Sequence, residues 1–210
     1  MKYKFSCAQE KWYRTISAKG FIAQTGGWNT MDETEASIIS FWESKDALHY
    51  FMRNLHDQIL KENKQDQFYS SIVVDHYNIT HTMKGESSTF VQVINNAKLL
   101  RTAVYRVKDD SVKHFEQIQK EIWKAGIKRT NAMLRSYFSK STKDINKYLM
   151  ITFWESQENH KNYINNIQPG LIERPDLLQD LETTSGKQIL LVESWKILKD
   201  EGTHPIVVTS

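Results

Sequence analysis

The sequence predicts an α+β protein assembled from two copies of one βαββαβ unit. Three observations carry this expectation. A tetrapeptide recurs, Phe41-Trp42-Glu43-Ser44 and Phe153-Trp154-Glu155-Ser156. Each copy closes a strand-like run, Ser37–Ser40 in the first and Leu149–Thr152 in the second, and each opens onto a polar helix start. Flanking blocks recur in the same order, which an isolated four-residue coincidence would not produce.

Each copy reads helix, strand, strand, helix, strand. In the first helix Phe5, Ala8, Trp12 and Ile16 fall at helical spacing, and Val112, Phe115, Ile118 and Ile122 do so in its counterpart. Ala8–Trp12 resembles Gln119–Trp123 with a one-residue slip, and Phe21–Thr25 matches Met133–Tyr137 without a gap. Ser44 and Ser156 suit N-caps, with acidic residues in the turn that follows, as the helix dipole favours. Leu48, Phe51, Met52, Leu55 and Ile59 form the apolar stripe of the second helix. Its counterpart carries Tyr163, Ile164 and Ile167, stops near Pro169-Gly170, and is followed by a short helix expected over Pro175–Leu181. Val73–Ile79 and Leu191–Ile197 read as matching last strands.

The second copy has one strand more. Leu99–Val107 alternates ahead of its helix and completes the βαββαβ order of a ferredoxin-like unit. The first copy starts directly on its helix. A hairpin that returns residues 89–94 beside the last strand is expected to fill the vacant slot, with Ile206-Val207-Val208 as the competing segment. Domains of 1–96 and 97–198 with a C-terminal tail of 199–210 follow.

Alternation assigns strand faces. Ile39 and Phe41 share one face, as do Leu149, Ile151 and Phe153; the opposite faces carry Ser40 with Trp42 and Thr152 with Trp154. The wholly apolar face is expected to pack on the helices. The mixed face is expected to look into the space between the sheets, where a large aromatic beside a hydroxyl suits a pocket wall as well as a filled core. Gly26-Gly27 reads as a turn, with Trp28 at the mouth of the first cavity.

Composition is that of an ordinary globular chain, 40% apolar and 25% charged, with net charge +3. The basic excess lies in the second half but forms no stripe, so nucleic acid is not an expected partner. No apolar run is long enough to span a membrane, Met1–Cys7 lacks the apolar stretch of a secretory leader, and the single cysteine forms no internal disulfide. A cytoplasmic location is expected, with Cys7 buried and inert. No metal site is expected: His49 and His56 stand about 10 Å apart along one helix, too far to share an ion. Asp75-His76 reads as an exposed strand pair, and His81, His114, His160 and His204 read as surface.

The βαββαβ tandem, the Gly20-Phe21 entry to the strand and the Phe-Trp-Glu-Ser turn resemble the antibiotic biosynthesis monooxygenase-like (ABM) group of dimeric α/β barrels. Gly20–Trp28, Phe41–Ser44 and His56-Asp57 resemble more closely a small bacterial domain of unknown function in that group. The resemblance implies tandem ferredoxin-like domains forming an intramolecular dimeric α/β barrel, with a cavity between sheet and helices. It also implies cofactor-free oxygenation of aromatic molecules or degradation of haem. The haem-degrading pattern of an Asn on the first strand, with a Trp and a His on the second helix, is missing. Its helix positions fall near Phe51 and Lys61 in one copy, near Tyr163 and Glu173 in the other, and Leu99–Val107 contains no Asn. No cofactor is therefore expected, and haem is disfavoured.

Three functions remain open. One is a cofactor-free monooxygenase of a small aromatic or apolar molecule, with His56 as catalytic base and Gln24, Trp28, Ser40, Trp42, Thr152 and Trp154 as ligand contacts. Another is a ligand-binding or stress-associated module without turnover. The third is a structural role, with the second copy acting as a built-in dimer partner. The pattern leaves room for a homodimer of the tandem chain.

Overall fold

The repeat is carried by two units that close one curved sheet. The computed structural model describes residues 1–85, 89–127, 133–166, 178–199, 205 and 207–209. The first unit contains α1 (Lys2–Glu10), β1 (Phe21–Asn29), β2 (Ala36–Trp42), α2 (Lys45–Phe51), α3 (Asp57–Asn63) and β3 (His76–Lys84). Helix α4 (Phe90–Asn96) leads to the second, with β4 (Leu99–Val107), α5 (Val112–Ile127), β5 (Met133–Ser141), β6 (Lys147–Trp154), α6 (Gln157–Asn166), β7 (Leu181–Leu191) and the short β8 (Ile197–Leu198). A last strand, β9, spans Val207–Thr209.

Within the second unit the strands lie in the order β5-β6-β4-β7, the ferredoxin-like arrangement. The first unit has β1-β2-β9-β3. Strand β9 runs antiparallel to β2 (Ser40 opposite Thr209) and to β3 (Tyr77 opposite Val208), as the first strand of this fold does. The vacant slot is therefore filled by residues 207–209, which the sequence alone places in a C-terminal tail.

Residues 89–94 do not form the expected strand. Thr89 caps α4 through a capping box: its hydroxyl accepts from Gln92 N–H at 3.2 Å, and Gln92 Oε1 accepts from Thr89 N–H at 3.1 Å. Phe90, Val93, Ile94 and Ala97 then fall on one face and are buried among the barrel's interior side chains. A helix buries all four; an alternating strand could not.

The two sheets meet at two seams, β1 with β7 and β3 with β5. Each seam carries a glycine. A Cβ on Gly27 would lie 1.8 Å from the Leu190 carbonyl oxygen, and one on Gly85 would lie 1.7 Å from that of Met133. Gly26 and Gly27 are thus inside β1, not in a turn, and serve close backbone approach. Positive φ among the described residues belongs to Gly20 and Lys64.

The strand faces are the reverse of the expectation. Ile39 and Phe41 meet Leu149, Ile151 and Phe153 inside the barrel. Trp42 packs under α2 and α3 with Leu48, Phe51 and Ile59, and Trp154 packs under α5 and α6 with Phe115, Ile118 and Tyr163. A buried indole needs an acceptor. The i−2 hydroxyl on the same strand face supplies it: Trp42 Nε1 donates to Ser40 Oγ and Trp154 Nε1 to Thr152 Oγ1, both at 2.9 Å. With the indole satisfied locally, the mixed face can lie against helices, while the purely apolar faces meet each other.

Other differences are local. Helix α1 ends at Glu10 and continues as a 3-10 segment to Ser17, leaving Ile16 exposed. Val73 and Val74 precede β3 and are exposed. Pairing makes Tyr77, opposite Ser141, the counterpart of Ile189, opposite Asn29, so the last-strand blocks align differently from their sequence match. Leu181 opens β7, and most of the helix expected over 175–181 lies outside the described residues, as do Ile167 and His204. No helix among the described residues is long and apolar enough to cross a membrane.

Candidate functional site

Each unit has a layer between its sheet and its helices, and the two layers are built on equivalent positions. Ser44 and Ser156 cap α2 and α6, accepting from Ala47 N–H at 3.1 Å and from Asn159 N–H at 3.0 Å. The caps fix the phase of each helix. The residues four and seven positions later, Leu48 and Phe51 or His160 and Tyr163, therefore turn toward the tryptophan. The ring of Trp42 stands 5.0 Å from that of Phe51, and the ring of Trp154 stands 5.1 Å from that of Tyr163.

The first layer is closed with hydrocarbon at these places. Gln24, opposite Ser40 on the neighbouring strand, is buried there as well, and its Nε2 has no partner among the described residues. Trp28 lies apart from Trp42, packed on Phe5 (5.6 Å) and Trp195 (5.5 Å) with the Lys2 ammonium 4.9 Å from its ring. His56 ends a π-helical turn, Met52–His56, and sits half-buried between Trp12 (5.4 Å) and Phe51 (5.9 Å). Its Nδ1 is 2.9 Å from Asp57 Oδ1. The structure groups Gln24, Ser40 and Trp42 in one layer, places His56 at that layer's outer margin, and sets Trp28 beneath α1.

The second layer is chemically different. His160 is 1% exposed, not a surface residue, and lies 5.1 Å from the Trp154 ring. Its Nε2 and the Tyr163 hydroxyl are buried without hydrogen-bond partners among the described residues. Arg101 on β4 stands opposite Thr152, on the same strand face as Tyr105. Burial, aided by the Arg101 charge, pushes His160 down to about 4, so the ring is neutral at physiological pH. Burial also holds the Tyr163 hydroxyl well above the ordinary phenol range, against the pull of Arg101. The arrangement offers an aromatic wall, a cation and two neutral polar groups.

Sequence reasoning singled out Thr152 and Trp154 but missed Arg101, His160 and Tyr163. The signal was available in the repeat: an apolar pair after one capping serine becomes a polar pair after the other. The remaining histidines are dispersed: His114 pairs with Asp180 at 2.8 Å, and His76 is held below the usual imidazole range by burial and nearby Lys143. Cys7 is half-buried, less enclosed than expected.

Residues 99–166 match the antibiotic biosynthesis monooxygenase family, and residues 1–77 match a domain of unknown function, DUF4937. The second unit is thus ABM-like over residues 99–166. The DUF4937 half has a curated relative, the uncharacterized protein YdbC of Bacillus subtilis (strain 168), 45% identical over 75 residues. That match takes in 35% of this chain and 63% of YdbC, so the chain spans less than two thirds of that relative's length. Two solved structures share the whole tandem fold. An anthrone oxidase-like protein superposes with TM-score 0.69 at 9% identity, covering 97% of this chain and 90% of its own. A candidate monooxygenase from Fusobacterium nucleatum subsp. nucleatum superposes with TM-score 0.67 at 14% identity, covering 96% and 88%. At such identities the likeness speaks to fold alone.

Proposed function

We propose that this ABM-like protein binds a small aromatic molecule in the layer between sheet and helices of its second unit and oxygenates it without a cofactor. One observation carries the reading. At two equivalent positions where the first unit buries Leu48 and Phe51, the second buries His160 and Tyr163 with polar atoms left unpaired against Trp154. Such atoms cost about 1–3 kcal/mol each when unmatched. Retaining them is consistent with a ligand that completes their hydrogen bonds.

Trp154 and Thr152 form the floor of this site. Gln24, Ser40 and Trp42 form the corresponding layer in the first unit, where hydrocarbon closes the space. In cofactor-free oxygenation the substrate supplies the electrons. An acidic ring methylene loses its two hydrogens, gains one oxygen atom from O2 as a carbonyl, and the other oxygen atom leaves as water. The neutral His160 and the Tyr163 hydroxyl would orient the substrate oxygen by hydrogen bonds. The low basicity of His160 favours a second reading, binding without turnover.

Oxygen uptake measured with a panel of anthrones and hydroquinones tests the proposal. Turnover is expected with O2 and product in equal amounts, and the double variant His160→Leu/Tyr163→Phe is expected to lower it at least tenfold. If ligand quenches tryptophan fluorescence without oxygen uptake, binding alone is the function. A double variant as active as the parent would place the site elsewhere.

A further inference from the structure

The second layer holds a charge that its surroundings do not answer. Arg101 is half-buried at the floor of the layer, on the strand face it shares with Ala103 and Tyr105. Among the described residues no carboxylate pairs with it. Its positive charge opposes the burial that raises the Tyr105 hydroxyl, a neutral group. Gly186 on the adjoining strand lies beside the guanidinium: a Cβ there would stand in ordinary contact, 3.8 Å, with Arg101 Nη2. Strand pairing gives the position in the first unit that corresponds to Arg101: it is Thr209, opposite Ser40 as Arg101 is opposite Thr152. The cation is thus specific to the unit that also carries His160 and Tyr163.

We propose that the ligand of the second unit is an aromatic molecule bearing a single oxyanion, a carboxylate or phenolate, which Arg101 binds while the ring lies against Trp154. This rests on the site assigned above and adds the charge of its occupant. A half-buried guanidinium is stabilised by a ligand oxyanion through charge-assisted hydrogen bonds, and its planar fork suits a carboxylate edge. The partnerless Tyr163 hydroxyl and His160 Nε2 are 6% and 1% exposed by residue, and can turn toward the same ligand oxygens. The first unit, with threonine, leucine and phenylalanine at the three places, offers no such recognition.

Calorimetric titration of the full chain with benzoate, 2-naphthoate and anthracene-2-carboxylate, each against its neutral amide, tests this. At least one acid is expected to bind about tenfold or more tightly than its amide. In Arg101→Met that ratio is expected to fall to about one, and in Arg101→Lys to an intermediate value. Thermal melts confirm that each variant is folded. An amide that binds as tightly as its acid, or a preference that survives Arg101→Met, overturns the charge assignment while leaving the site in place. If none of the six compounds binds, the site itself is wrong and the inference falls with it.

Discussion

In the first unit the indole of Trp42 meets Phe51 and Leu48; in the second the indole of Trp154 meets Tyr163 and His160. The supporting parts are the same on both sides: a strand hydroxyl under the indole and a capping serine before the helix. The comparison teaches that framework and chemistry are separable in this chain. The framework is paid for twice, once per unit, and the polar substitutions ride on one copy of it. A repeat that needs both halves to close its sheet can keep leucine and phenylalanine at two positions in one half and place histidine and tyrosine at the equivalent positions in the other.

The comparison breaks first at the seams. Gly27→Val and Gly85→Val each drive a side chain into a carbonyl of the opposite sheet, and each is expected to cost about 3 kcal/mol or more. Urea unfolding measures this. If either substitution is neutral, that seam is not the tight backbone crossing described here.

A smaller and more specific effect comes from His160. Its folded value of about 4 lies below the ordinary 6.5 because burial resists the charge. Above pH 6.5 both folded and unfolded chains hold it neutral. As pH falls from about 6.5 toward 4 the unfolded chain takes up a proton that the folded layer refuses, so stability drops, by up to about 3 kcal/mol, and levels off below that window. His160→Leu, which installs the first unit's residue, is expected to flatten this part of the profile. Carboxylates with lowered values, such as Glu116 and Glu35, also titrate at acid pH, so the readout is the difference between parent and variant. Identical profiles would show that His160 is not buried in its neutral form.

The least expected effect sharpens the symmetry. Ser44→Ala and Ser156→Ala remove equivalent caps, and each is expected to cost about 1 kcal/mol in thermal unfolding. A large disparity between them would mean that α2 and α6 are not held in the same way.

Much of this was legible in residue order. The duplicated Phe-Trp-Glu-Ser turn located β2, β6 and the helices after them, because capping and strand alternation are local. Leu99–Val107 was read to its ends, since alternation and flanking residues bounded it. The second half's polar pair was also present in sequence, yet His160 read as a surface histidine until Trp154 was seen beside it.

By itself, then, the sequence determined the duplicated unit, the strand and capped helix around each Phe-Trp-Glu-Ser turn, β4, and the tryptophan-hydroxyl pairs that mark one face of each sheet. Tertiary structure decided which way that face turns. Either face could be buried, and only the meeting of two apolar faces inside the barrel settles the choice. It also decided which distant segment fills the first unit's missing strand, since residues 90–96 gain more by burying one helical face than by pairing, and β9 brings backbone donors and acceptors to the open edges of β2 and β3. Long-range pairing of this kind leaves no local signature, because its free energy resides in contacts between residues far apart in the chain.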